Sequence, residues 1–374
     1  MTAPGGARRT GDLDAALEPG GRAGPDAPAR AASEIAYCRA ILPRVSRTFA
    51  ISIRLLSGSM GDAVRVAYLL CRAADALEDS WPGTAGAIER RFERLCAAVE
   101  GDEGAARELG AGAASRPGVG GDDLELVANL PRVMGAFGAL APADRAAVGD
   151  CVQTLAAGMC RYAARAAARR QDGAEMTPYL DDERELRDYC WVVAGCVGVM
   201  LTRLFSLREG DTGPAALRRR FELAPVVGEA LQLTNILLDW PADLRRGRCH
   251  LPARWLEELG IAPRELIAGP HPAVQEIAGR LESLARAALA RVPDYLDTIP
   301  VRHVRYRLFC LWPALWALGS LRHARRDPEF PWGPRRPRLP RHELWRAALG
   351  SLFWAHDSRR LRRFYGGFES QPAG

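Results

Sequence analysis

The sequence predicts an all-α, single-domain protein. Three observations carry that reading. Apolar residues recur at helical spacing over long segments, no alternating strand-like series is found, and Gly and Pro fall at the segment ends. The chain has 374 residues, of which 48% are hydrophobic, enough to bury one large core. No repeat recurs at a fixed period, so one continuous array of helices is expected over residues 33–325.

The elements follow in order. Residues 1–32 are rich in Gly, Pro and Ala, lack the apolar run of a signal peptide, and read as a disordered tail. Residues 34–56 read as a helix, a break at Pro43, and a second helix. "GDAVRVAYLLCRAADALEDS" is a strong helix, stopped by Trp81-Pro82-Gly83, and an amphipathic helix follows over 85–101. Residues 110–122, dense in Gly, read as a flexible loop. Helices are expected over 123–137, 142–171, 183–207, 214–238, 274–294 and 302–324. The apolar stretch 189–205 falls short of the roughly 20 residues that span a bilayer and contains Arg203, so a buried core helix is expected. Residues 326–374 read as a Pro/Arg-rich connection, a short helix near 341–356 and a tail.

Composition narrows the function. All 51 basic side chains are arginine, and the net charge of +6 suits anionic ligands or a membrane surface without demanding nucleic acid. Nine scattered cysteines without a CxxC pair favour reduced thiols and a cytoplasmic setting. The six histidines include no HExxH, which speaks against zinc. The C-terminal arginines, Arg336 among them, read first as a solvated surface and second as a patch for anionic lipid headgroups at the inner membrane face.

Two acidic clusters carry the chemistry. Asp75, Glu78 and Asp79 share one face of the helix that ends at residue 80. Like charges so spaced repel, and two of them sit at the helix C-terminus, the wrong end for the macrodipole. Asn235, Asp239 and Asp243, each four apart, form a second cluster behind an apolar run, with Arg245, Arg246 and Arg248 immediately after. Magnesium is held by one or two carboxylates plus phosphate oxygens, so two such faces suit a metal-bridged diphosphate with arginines neutralising the remainder. The apolar run then supplies a hydrocarbon pocket.

With both clusters in view, the chain resembles the squalene/phytoene synthase family of head-to-head prenyltransferases over about residues 34–325. The stretches that carry the resemblance are "VSRTFAISIRLL", "YLLCRAADALEDS", "YCWVVAGCVGVML" and "LQLTNILLDWPADLRRGRCHLP". The resemblance implies an isoprenoid-synthase helical bundle around a central apolar cavity. It assigns magnesium to Asp75, Glu78, Asp79, Asp239 and Asp243. Ser46, Arg47, Arg72, Gln232, Asn235 and Arg248 would bind substrate, and Tyr189, Tyr68 and Phe49 would stand near the reacting carbons, with Tyr189 assisting proton loss. Three positions depart from the family pattern: Leu238 replaces an arginine, His250 a tyrosine, and Tyr162 stands near a usual aspartate. Loss of the cation at 238 leaves a gap that Arg245 or Arg246 would have to fill.

"RLFCLWPALWALGSL" is similar to the corresponding stretch of squalene synthases, which favours two farnesyl diphosphates joined through presqualene diphosphate to squalene. That product requires NADPH for its last step, though no strand–GxGxxG–helix unit is present. Phytoene or dehydrosqualene synthesis is the alternative, and a non-catalytic prenyl-lipid binding protein is a third reading. A monomer is expected.

Overall fold

The computed structural model describes residues 27–46, 48–116, 120–171, 177–210, 212–333, 335–337 and 339–369. Among them the chain is helical and forms no named strand; Leu180 and Pro252 make one isolated bridge. The all-α expectation holds.

Helix α1 (Ala27–Val45) leads to a short α2 (Phe49–Ile53) and the long α3 (Gly58–Asp79). The tail expected through residue 32 is corrected at its end, because α1 already begins at Ala27; residues 1–26 lie outside the described residues. The break expected at Pro43 is also corrected: Pro43 falls in the last turn of α1, two residues before its end. Helix α4 (Ala85–Glu100) starts where the Thr84 hydroxyl accepts from the Ala87 amide and stops at Gly101, φ +112°. Asp102 caps α5 (Glu103–Ala114) in the same way. That helix occupies the start of the expected loop. Gly110 and Gly112 serve close packing there, since a Cβ on Gly110 would stand 2.9 Å from the Ala128 carbonyl oxygen. The region expected as one helix over 123–137 is two, α6 (Gly121–Ala128) and α7 (Leu130–Gly138), followed by α8 (Pro142–Gln171).

Helix α9 (Glu183–Cys190) continues through a π turn, Trp191–Gly195, into α10 (Cys196–Ser206). Helix α11 (Pro214–Arg245) is the longest and passes through Pro241, where a kink or an end of regular helix was expected. Then come α12 (Ala253–Leu259), a 3-10 turn, α13 (Pro272–Leu289), α14 (Val292–Asp297) and α15 (Val304–Arg326). Two terminal helices, α16 (Arg341–Leu352) and α17 (Ser358–Glu369), replace the single short one expected.

Among the described residues two large apolar cores form, beside a small cluster of Ala98, Ala105 and Ala106. One unites α1 to α8 with α10, the other α9 and α11 to α17. The stretches Glu183–Ser206 and Pro214–Arg245 are long and apolar enough to cross a membrane, and half of each apolar window is buried inside the protein. Helix α11 packs closely on α10 and the π turn because glycines face it. A Cβ on Gly228 would stand 2.3 Å from the Ala194 oxygen, and one on Gly198 2.2 Å from the Ala224 oxygen. All nine cysteines are free.

Candidate active site

Helix α3 presents the first carboxylate of its acidic cluster, Asp75, to a cavity of about 720 Å³, and α11 presents Asp239 to the same space. The wall includes Ser46, Phe49, Tyr68 and Arg72 on one side and Leu238, Asn235 and Trp316 on the other. Phe49 and Tyr68 lie with ring centroids 5.6 Å apart, and Tyr68 shares a hydrogen bond with Ser46. Burial pushes the Tyr68 phenol up to about 12, so it stays protonated near neutrality. Arg72 bonds Asp123 at 2.7 Å and Asp75 at 3.4 Å; Asp123 is a partner the sequence reading missed, because no spacing rule links it to α3.

Glu78, Asp79 and Asp243 are not among the residues that line this cavity. Asp79 pairs with Arg248, whose second nitrogen donates to the Glu78 carbonyl oxygen at 2.9 Å. Burial, then the Asp79 charge, pushes the Glu78 carboxyl up to about 8. Burial and the Asp239 and Asp79 charges take Asp243 to about 7. Asp75 is raised to about 7, by burial and by Asp79 against the pull of Arg72. Its side chain is 40% exposed into the cavity, so cavity water tempers that shift, while the neighbouring acids keep its sign. The clusters on α3 and α11 therefore feel each other's charge, which is what two opposed acidic faces should do.

Tyr189 is placed differently from the expectation. It is not among the residues lining the cavity, and its ring packs edge-on to Tyr162 at 5.2 Å, beside Tyr179 and His250. Burial raises its phenol well above the usual value, which disfavours it as a base. His250 is pushed down to about 4 by burial and by Arg248, so it is neutral, 3.6 Å from Asp243. Gln232 is half-buried on α11 and is also absent from the cavity lining. Arg47 lies outside the described residues.

The gap left by Leu238 is closed from a distant part of the chain. Arg336 sits 2.9 Å from Asp239, donates to the Asn235 side-chain oxygen at 3.3 Å, and lines the cavity. It is thus not a merely solvated side chain. Arg245 does not fill the gap. It donates to the carbonyl oxygens of Trp332 at 2.8 Å and Gly333 at 3.2 Å, and so fastens the segment that carries Arg336.

The residues fit magnesium. Burial first, and neighbouring carboxylates after it, raise Asp75, Glu78 and Asp243, so a bound cation would relieve their mutual repulsion. Among the described residues no group of three or more His, Cys, Asp or Glu side chains is placed to hold a metal ion by itself. Magnesium needs none, since it completes its shell with water and phosphate oxygens.

Comparison with known proteins agrees with this geometry. Residues 42–343 match the squalene/phytoene synthase family model. Mouse squalene synthase is 26% identical over 294 residues, covering 77% of this chain, and the chain spans 63% of that relative's length. A 15-cis-phytoene synthase of Enterobacter agglomerans is 38% identical over 116 residues, 30% of this chain and 36% of its own. The complex of TcSQS with the ligand BPH1237 superposes with a TM-score of 0.72 at 21% identity over 90% of both chains, which speaks to the fold. Members of the matched family are prenyltransferases, and with the match running from α1 into α16 the chain belongs to the squalene/phytoene synthase family.

Proposed function

We propose that this protein joins two farnesyl diphosphates head to head through presqualene diphosphate to squalene. One observation carries the reading. One cavity is lined by carboxylates from both acidic clusters, Asp75 and Asp239, by Arg72 and Arg336, and by the apolar side chains of Phe49, Leu231, Leu238 and Trp316. Its volume, about 720 Å³, is within the usual range for ligand sites, roughly 300–1,000 Å³.

Asp75, Glu78, Asp79, Asp239 and Asp243 are the side chains that would hold magnesium, which when bound neutralises the leaving diphosphate. Arg72 and Arg336 would take diphosphate oxygens, exchanging carboxylate partners for phosphate. Ionisation of the first allylic C–O bond gives a cation that the double bond of the second chain captures. A proton is then lost and the cyclopropyl ring closes. The departed diphosphate is the stronger candidate for that proton. Tyr68, held protonated, orients it as a donor, and Tyr189 instead buttresses the wall. The faces of Phe49 and Tyr68 stabilise passing cations by about 0.5–2 kcal/mol each. The diphosphate of presqualene diphosphate would then leave and the ring rearrange, and NADPH would supply the hydride that quenches the resulting cation; no described residue is assigned to hold it.

A second reading, phytoene or dehydrosqualene synthesis, is favoured by the 38% identity to a phytoene synthase over 116 residues. Farnesyl and geranylgeranyl diphosphate with magnesium, with and without NADPH, separate the readings by the hydrocarbon formed. A C30 product that needs NADPH supports squalene synthesis. A C40 product, or a C30 product made without NADPH, overturns it in favour of the second reading. Asp75→Asn and Asp239→Asn should each remove turnover with the helical circular dichroism intact; substrate bound but never consumed would leave only a lipid-binding protein.

A further inference from the structure

Four large apolar side chains open to solvent cluster at one place. Trp345, Leu349, Leu352 and Phe353 are 47, 55, 42 and 71% exposed and fall on α16 and the turn that leaves it. Steps of four, three and one residues place them along one helical face. The other face of α16 is built into the protein. Ala347, Ala348 and Ser351 are buried, Trp312 Nε1 donates to the Ser351 hydroxyl at 3.0 Å, and Leu344 lines the cavity. One helix therefore separates the cavity from this outer apolar stripe.

The exposed charge without an ion pair on α16, and on the first turns of α17 that follow it, has one sign. Arg341 and Arg346 on α16 and Arg359 and Arg363 on α17 are exposed and make no ion pair among the described residues. The two acids between Arg341 and Arg363 are already matched, Glu343 by Arg322 and His323, and Asp357 by Arg360. An apolar stripe rimmed by free cations is the pattern of a helix that lies in a membrane interface. A second copy of the chain fits less well, because a two-fold contact would bring the same arginines face to face.

We propose that the outer face of α16 docks this protein on an anionic lipid surface, its apolar stripe at the headgroup boundary and the four arginines on lipid phosphates. The surface alone carries this, and binding is read without substrate, so its outcome is independent of the reaction catalysed. A hydrocarbon formed in the cavity would have only α16 between it and the bilayer.

The test is co-sedimentation of the full chain with phosphatidylglycerol/phosphatidylcholine vesicles and with phosphatidylcholine vesicles, at low and high salt. The protein should pellet with the anionic vesicles, and salt should release it. The Leu349→Ser/Phe353→Ser double variant should bind about tenfold more weakly, with unchanged circular dichroism and melting. Arg341→Ser/Arg346→Ser should lose the preference for anionic over neutral vesicles. Two results would overturn the proposal: wild-type protein that stays in solution with both vesicle types, or vesicle binding that neither double variant alters. A dimer that the Leu349→Ser/Phe353→Ser variant dissolves, without vesicle binding, would assign the stripe to a second copy instead.

Discussion

Arg336 shows how a single residue can be invisible in a sequence and central in the folded chain. It lies 101 residues from Asn235, in a proline-rich connection whose arginines read as surface, yet it neutralises Asp239 at the position where Leu238 offers no charge. On the proposed function its loss would remove a charge-assisted hydrogen bond to the diphosphate, worth about 1.5–3 kcal/mol, so Arg336→Ala should lower kcat/KM by roughly 10- to 100-fold, with Arg336→Lys recovering part. A faster variant would instead mark Arg336 as a block at the cavity mouth. The acids give a pH prediction. Asp75 and Asp243 are raised to about 7 and Glu78 to about 8, so without metal the folded state binds more protons than the unfolded chain between about pH 4 and 8. Their contribution to stability therefore falls as pH rises through that window. Magnesium displaces those protons, so its affinity should climb at least about tenfold from pH 6 to 8 and then level. Thermal shifts with magnesium and with a chelator at the two pH values check this; a magnesium shift independent of pH would refute it.

Helices α3 and α11 hold the acids because each is anchored on its other face. The approach of α11 to α10 and the π turn sets where Asn235 and Asp239 point. Adding one methyl at Gly228 would press a carbon to within 2.3 Å of the Ala194 oxygen. Overpacking of that kind costs about 1–3 kcal/mol, so Gly228→Ala should lower the denaturation midpoint accordingly. Gly279 on α13 is the control: its added Cβ meets nothing within 4 Å, and Gly279→Ala should be neutral or stabilising by up to about 1 kcal/mol. Equal effects at both sites would show that helix propensity, not close approach, sets the cost. Most helices were legible, because apolar periodicity and capping residues are local signals. The errors at Gly110 and Pro43 share a cause. Gly and Pro were read as breaks, whereas packing uses Gly110 for closeness and tolerates Pro43 in a last turn.

At the scale of the molecule, buried polar ties join the late helices. Arg220 of α11 and Glu209 pair at 2.8 Å with both side chains fully buried, and Arg220 also donates to the Thr298 hydroxyl at 3.1 Å. Arg307 of α15 donates to the carbonyl oxygens of Leu296 and Ile299, each at 2.9 Å, and to the Ser358 hydroxyl at 3.0 Å. Removing one partner strands a buried charge, so Glu209→Ala should destabilise the fold by about 3–5 kcal/mol, measured by urea denaturation. A loss under 1 kcal/mol would mean that water reaches Arg220 in the variant.

The sequence by itself determined the all-α class, the order of the long helices and the two acidic faces, because helical period and charge spacing are written within a few residues of each other. It also carried the family motifs. Only the tertiary structure decided which of those residues share one cavity. Asp75, Asp239, Tyr68 and Phe49 line it, Tyr189 packs among aromatic rings outside that lining, and Arg336 enters from a distant part of the chain. The physical reason is that position along a helix fixes the face a side chain takes, while the partner of that face is chosen by long-range packing and charge, which no local pattern encodes.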